Sequence, residues 1–246
     1  MKLTTLMRAL GPVDALSVRR DAMLRWMIFL PLLATLAVRL LPQLLLARLD
    51  GWLPFDLQAL YKPLMGAIFL LLVPFLWGML SGFLLLDERD DRTLTALQIT
   101  PLPMSAYLLY RLAFPAALSV VTTFFLFPLA GLATLSGGAL FLLALLAAPL
   151  APLIALLLAA LAQNKVQGLA MTKASSLLLL PALVAYFLAA PWHWLLAAAP
   201  TFWATQALWQ ALDGAPQFWL YLSGGFVYQL WLIVLLARRF ERIMHR

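Results

Sequence analysis

Six ionisable side chains follow one another without a break at Asp87, Glu88, Arg89, Asp90, Asp91 and Arg92, between two runs of aliphatic residues. Closely spaced carboxylates of this kind chelate magnesium through hard oxygen ligands, which would let a membrane enzyme hold a lipid diphosphate. That chemistry calls for more than one acidic cluster. The other carboxylates, Asp14, Asp21, Asp50, Asp56, Asp213 and Glu241, are scattered. An enzyme with Mg2+ held by Asp87, Asp90 and Asp91 therefore stands only as an alternative.

Other chemistries find no support in the residues. The chain has no cysteine, so a disulfide framework and thiolate metal or redox sites are excluded. His193 and His245 sit in no HExxH or HxxEH arrangement. No GxSxG marks a serine nucleophile, and no GxxxxGK[ST] phosphate loop is present. The expectation is a chain that is not an enzyme, binds no metal or cofactor of its own, and cannot hydrolyse ATP.

The elements around the charge run explain its setting. Hydrophobic side chains make up 65% of the 246 residues, charged ones 11%, and the mean hydropathy is +0.96. So little polar surface cannot clothe a water-soluble fold of this length, which makes this an all-α integral membrane protein. Apolar runs of about 20 residues suffice to cross a bilayer. Six such spans are expected, at 24–46, 64–86, 108–132, 139–162, 176–196 and 218–237.

An even number of spans puts both termini on one side. That side then collects fourteen of the 17 basic residues and leaves Arg39, Arg48 and Lys62 for the other. The positive-inside bias makes it the cytoplasm and brings the 87–105 loop there too. The same asymmetry accounts for the net charge of +7 without nucleic acid as a partner. At the amino end, residues 1–21 lack the uninterrupted apolar core of a cleaved signal peptide. Leu3, Leu6, Met7 and Leu10 instead follow a helical spacing, giving an amphipathic interface helix that Gly11 and Pro12 are expected to interrupt. It serves either as an anchor in membrane lipid or as a docking surface.

After the charge run, Thr93-Leu94-Thr95-Ala96-Leu97 reads as a short helix capped by Asp90 or Asp91 and stopped at Thr100-Pro101-Leu102-Pro103. The order Glu88, Thr93, Leu94, Leu97, Thr100, Pro101, Leu102 resembles the segment between the second and third spans of ABC-2 type transporter permeases. Arg92 stands where many members of that family carry glycine. The opening ALGPVDALSVRRDAMLRWMIFLP, the NKVQG of 164–168 placed in the loop before span five, and the PTFW of 200–203 are similar to the smaller permeases of fluoroquinolone and related drug export systems.

The resemblance implies one ABC-2 transmembrane domain over 1–246, the permease of an ATP-driven exporter in a bacterial or archaeal plasma membrane. It implies a coupling helix seated on an ABC ATP-binding subunit, with ATP and Mg2+ on that partner. Asp87, Glu88, Arg89, Asp90, Asp91 and Arg92 would set register with the motor, while Thr93, Leu94 and Leu97 occupy the seat itself. A pump of this kind needs a second copy or a sister permease; a non-transporting subunit paired with an active one is the structural alternative.

The stretch 191–217 is too broken by Pro191, Pro200, Gly214 and Pro216 for a span and too rich in tryptophan for a free loop. It reads as short helices re-entering the outer leaflet before span six. Its tryptophans suit an interfacial belt. The functional alternative is an extracellular gate with Trp203, Gln206 and Gln210 as its markers, the two glutamines four apart on one helix face. Arg39 falls either inside span one or at its outer edge, within snorkelling reach of water.

Overall fold

The computed structural model describes residues 3–49, 57–90, 104–132, 134–189 and 191–244. Among these every regular element is helical: α1 (Leu3–Arg20), α2 (Ala22–Leu49), α3 (Leu57–Asp90), α4 (Met104–Ala130), α5 (Gly137–Ala147), α6 (Leu150–Leu161), α7 (Lys165–Ser176), α8 (Leu180–Phe187), α9 (Pro200–Leu212) and α10 (Phe218–Met244). A 3-10 turn at Leu177–Leu179 joins α7 to α8, and another at Trp192–Leu196 precedes α9. Six stretches are long and apolar enough to cross a membrane: Ala22–Pro42, Ala59–Asp90, Ala106–Ala130, Gly137–Leu161, Lys165–Phe187 and Phe218–Arg239. The chain is a multi-pass membrane protein.

At the centre stands α3, packed against α6 and also touching α2, α4 and α9. Close approach to α6 is possible because Gly78 and Gly82 face it. A Cβ at Gly78 would lie 2.5 Å from the Ala151 carbonyl oxygen, and one at Gly82 would lie 2.7 Å from the Leu158 side chain. Small residues four apart are a common device for bringing helices together where lipid offers no hydrophobic drive. The core that results runs through Phe69, Leu70, Val73, Leu150, Ile154 and Leu208. Apolar side chains such as Phe29 and Leu33 on α2, Phe125 on α4 and Trp231 on α10 are instead exposed on the outside of the bundle, as suits helices that cross a bilayer.

The fourth span is two helices. Pro149 has no N–H to give, so the ladder is interrupted between α5 and α6. Gln229 of α10, itself buried, donates its side-chain amide to the Leu146 carbonyl beside the break.

Two expectations need correction. Span five runs from Lys165 to Phe187, about three helical turns earlier than 176–196. The NKVQG stretch starts that helix and is no loop: the Asn164 side chain accepts from the Gln167 amide and caps α7. Beyond Phe187 the chain is extended at Leu188, and Pro191 leads into the 3-10 turn. At the amino end α1 continues through Gly11 and Pro12 as one helix of 18 residues. Its Asp14 side chain is fixed from outside the helix, as described next, and tertiary contacts of that kind outweigh a proline's local penalty.

Candidate functional site

The sequence that reads as a run of surface charge folds into two ion clusters at one end of the helix bundle. The last turn of α3 carries Asp87, Glu88, Arg89 and Asp90, so these four residues extend a membrane helix and form no loop. Their side chains leave that turn in different directions.

Glu88 belongs to the first cluster. Its carboxylate accepts from the guanidinium of Arg111 and from the hydroxyl of Tyr107, both on α4. Arg111 also reaches α1, its Nη1 lying 2.8 Å from Asp14 Oδ2, and the Tyr110 hydroxyl donates to that same oxygen at 2.8 Å. The rings of Tyr107 and Tyr110 lie 5.5 and 5.6 Å from the guanidinium carbon. Arg111 is 4% exposed and Asp14 8%. Both charges are out of water, which is tolerable because every nearby donor finds an acceptor.

The second cluster is half-buried. Lys165, the first residue of α7, contacts Asp21 at 2.5 Å and Asp87 at 3.0 Å. Asp21 also caps α2, accepting from the amides of Met23 at 2.7 Å and Leu24 at 3.2 Å. The hydrogen bond from Lys165 holds the Asp21 carboxyl below the usual carboxylate range. Arg89 donates to the carbonyls of Ala159 and Ala162, satisfying the otherwise orphaned C-terminal end of α6. Asp90 is exposed.

Three neighbouring residues thus tie α3 to four different helices: Glu88 to α4, Asp87 to α7, Arg89 to α6, and Glu88 again to α1 through Arg111. Of the other sequence-predicted coupling residues, Asp91, Arg92, Thr93, Leu94 and Leu97 lie outside the described residues. Among the described residues no three acidic or histidine side chains come together as a metal-binding group.

Sequence reasoning missed Asp14, Asp21, Tyr107, Tyr110, Arg111 and Lys165. A signal was present in the run Tyr107-Leu108-Leu109-Tyr110-Arg111. A lone arginine entering an apolar helix demands a counter-ion, and the tyrosine four residues before it marks the face on which to seek it.

At the opposite end of the bundle, α9 is a 13-residue helix packed against α3, α5, α8 and α10. Trp203 is half-buried, its indole N–H donating to the Ala197 carbonyl at 3.0 Å. Its side chain rests on Gly224 and Gly225 of α10, where an added Cβ would lie 2.6 Å from the ring at Gly224 and 2.7 Å from the Trp203 Cβ at Gly225. Gln206 is buried, 6% exposed. Gln210 instead lines a cavity of about 470 Å³ with Phe218 and Trp219. The two glutamines therefore do not share one surface. Around Trp203 the rings of Trp194, Phe202, Tyr221 and Tyr228 gather, with His193 Nε2 3.2 Å from the Tyr221 hydroxyl. Arg39 is also at this end and donates to the Leu129 carbonyl at 2.9 Å, complementing the negative end of α4.

Similarity to known proteins covers both ends of the bundle. Residues 14–237 match the family model described as "Fluoroquinolones export permease protein Rv2686c-like". The chain is 35% identical over 244 residues to the fluoroquinolones export permease protein Rv2686c of Mycobacterium tuberculosis strain H37Rv, covering 95% of this chain and 93% of that protein. The same figures hold for the fluoroquinolones export permease protein MT2760 of strain CDC 1551. No solved structure matches.

Proposed function

The chain belongs to the fluoroquinolone export permease family, and on that premise we propose that it is the membrane subunit of an ATP-driven exporter of hydrophobic or amphiphilic compounds, fluoroquinolone-like drugs among them. It forms one ABC-2 type transmembrane domain of the plasma membrane. A separate ATP-binding subunit supplies ATP and Mg2+, and a second copy or a sister permease completes the pump. The end of the bundle that carries the ion clusters faces the cytoplasm. Support for that orientation comes from the basic residues flanking the spans and from Leu10 of α1 and Leu236 of α10, which pack into the same cluster around Tyr107.

The observation that carries the coupling role is the bridge from Glu88 to Tyr107 and Arg111. Residues 91–103 connect the two helices that this bridge joins, so a push on the segment moves the ends of α3 and α4 as one body. Arg111 passes the same motion to α1 through Asp14. A motor docked on Thr93, Leu94 and Leu97 would then act on three helices at once. Asp87, Glu88 and Arg89 serve this purpose from inside the chain, whereas Asp90, Asp91 and Arg92 are left to set register with the partner. At the other end, residues 191–217 form the outer closure, with Trp203 as its pivot and Gln206 and Gln210 as its polar groups.

The test is copurification. An ABC ATPase expressed with the wild-type permease should elute with it from detergent, and Leu94→Asp should lose the ATPase while still inserting in the membrane. Failure of the wild type to retain an ATPase would remove the coupling assignment.

A further inference from the structure

At the end of the bundle opposite the ion clusters lies a cavity of about 560 Å³, bounded by the end of α4, the start of α5, the last residue of α9 and the second turn of α3. That volume is in the range of sites for drug-sized molecules. Its walls include Phe127, Leu132, Leu135, Leu140 and Leu212. Among the described residues Lys62, whose side chain is exposed, is the one ionisable residue lining it. Among the described residues no carboxylate lies within ion-pair distance of Lys62. The neighbouring cation Arg39 differs, being engaged by the Leu129 carbonyl.

A single cation beside apolar walls selects by charge as well as by shape. Lys62 is exposed at the edge of the cavity, so an opposite charge brought to it gains a modest, salt-screened attraction, while a cationic head would be repelled. An aromatic or aliphatic body would replace water along Phe127, Leu135 and Leu140.

We propose that this cavity binds an amphiphile with one anionic group, the anion paired with Lys62 and the apolar body lying against Phe127, Leu135, Leu140 and Leu212. Such an anion can come from an exported carboxylate drug or from an anionic phospholipid. The assignment of a drug as occupant rests on the export reading; the anion site itself does not.

Binding measured on the full-length protein in neutral detergent tests it. The probes are nalidixic acid, an aromatic monoanion at mildly alkaline pH, and its uncharged ethyl ester. Tryptophan quenching should show the acid binding about tenfold more tightly than the ester, the worth of one modest ion pair. Lys62→Gln should erase that preference and Lys62→Arg should keep it. Native mass spectrometry with phosphatidylglycerol and phosphatidylcholine identifies the other source: Lys62-dependent retention of phosphatidylglycerol without discrimination between acid and ester makes the occupant a lipid.

If Lys62→Gln discriminates acid from ester and retains phosphatidylglycerol as the wild type does, or if the wild type does neither, the anion site is refuted. These readouts need no ATP and no partner. Lys62-dependent binding without any ATP-driven transport would count against the export reading alone. Transport that is intact in Lys62→Gln, with binding unchanged, would count against the site alone.

Discussion

Glu88 stands in the last turn of α3 and Arg111 is the eighth residue of α4, and their side chains form an ion pair between the two helices. Arg111 is 4% exposed and holds a second acid, Asp14, at 2.8 Å. One guanidinium therefore fixes the mutual positions of α1, α3 and α4.

Removing that guanidinium leaves two acids facing each other with no cation between them. Arg111→Met should destabilise the protein by about 3–5 kcal/mol, the usual cost of breaking a buried pair from one side. Arg111→Lys should recover part of this, because an ammonium can satisfy one carboxylate but lacks the fork that reaches both. Thermal unfolding in detergent, followed by tryptophan fluorescence, measures the three proteins side by side.

The seam between α3 and α6 gives a steric prediction. Gly78→Ala places a methyl group 2.5 Å from the Ala151 carbonyl oxygen, a backbone atom that cannot step aside without moving α6. A loss of about 1–3 kcal/mol is expected, as for overpacking elsewhere. Gly138→Ala is the control, since a Cβ there meets nothing within 4 Å. Comparison of the two melting temperatures decides whether the glycine is a packing requirement.

Trp203 and Gln210 should separate stability from transport. Trp203→Ala empties the space above Gly224 and Gly225 and should cost about 3–5 kcal/mol. Gln210→Ala removes a side chain from a cavity wall and should leave stability within about 0.5 kcal/mol. Drug efflux assayed in cells at matched protein levels shows whether the glutamine nevertheless contributes to release.

The pair between Lys165 and Asp21 makes stability fall in acid. The folded-state pKa of Asp21 is lowered by the Lys165 hydrogen bond, so its contribution is complete above the unfolded value of about 4 and is lost as pH drops through the lower folded value. Asp21→Asn keeps the cap on α2 but has no charge to lose. Wild type should melt higher than this variant at neutral pH, and the two curves should converge below about pH 4. A gap that stays constant across that range would contradict the ion pair as the source of the wild type's advantage.

The helical class and the six crossings were legible from the apolar runs and the placement of lysine and arginine. Span six illustrates this, starting at Phe218 in both readings. Span five was misplaced because Lys165, Gln167 and Lys173 look like loop residues. The sequence does not reveal that Lys165 is neutralised by Asp21 and Asp87, partners 144 and 78 positions away. The charge run was recognised as important, but its geometry was not readable. Consecutive residues on a helix point about 100° apart, so Asp87, Glu88 and Arg89 had to meet different neighbours. Which neighbours depended on α1, α4, α6 and α7 arriving at the same end. The tryptophans of 191–217 likewise announced an interface, while the seat of Trp203 on two glycines of α10 is a long-range packing fact.

The most direct test of the account is ATP-driven drug transport into inside-out membrane vesicles that contain the permease together with its ATPase. Three proteins are compared: wild type, Glu88→Gln and Leu94→Asp. The account predicts ATP-dependent accumulation of a fluoroquinolone by the wild type. It predicts strong loss in Glu88→Gln with the ATPase still bound, and loss in Leu94→Asp with the ATPase released. Accumulation that needs no ATP, or that is undiminished in Glu88→Gln, would contradict the claim that the bridge from α3 to α4 transmits the motor's work.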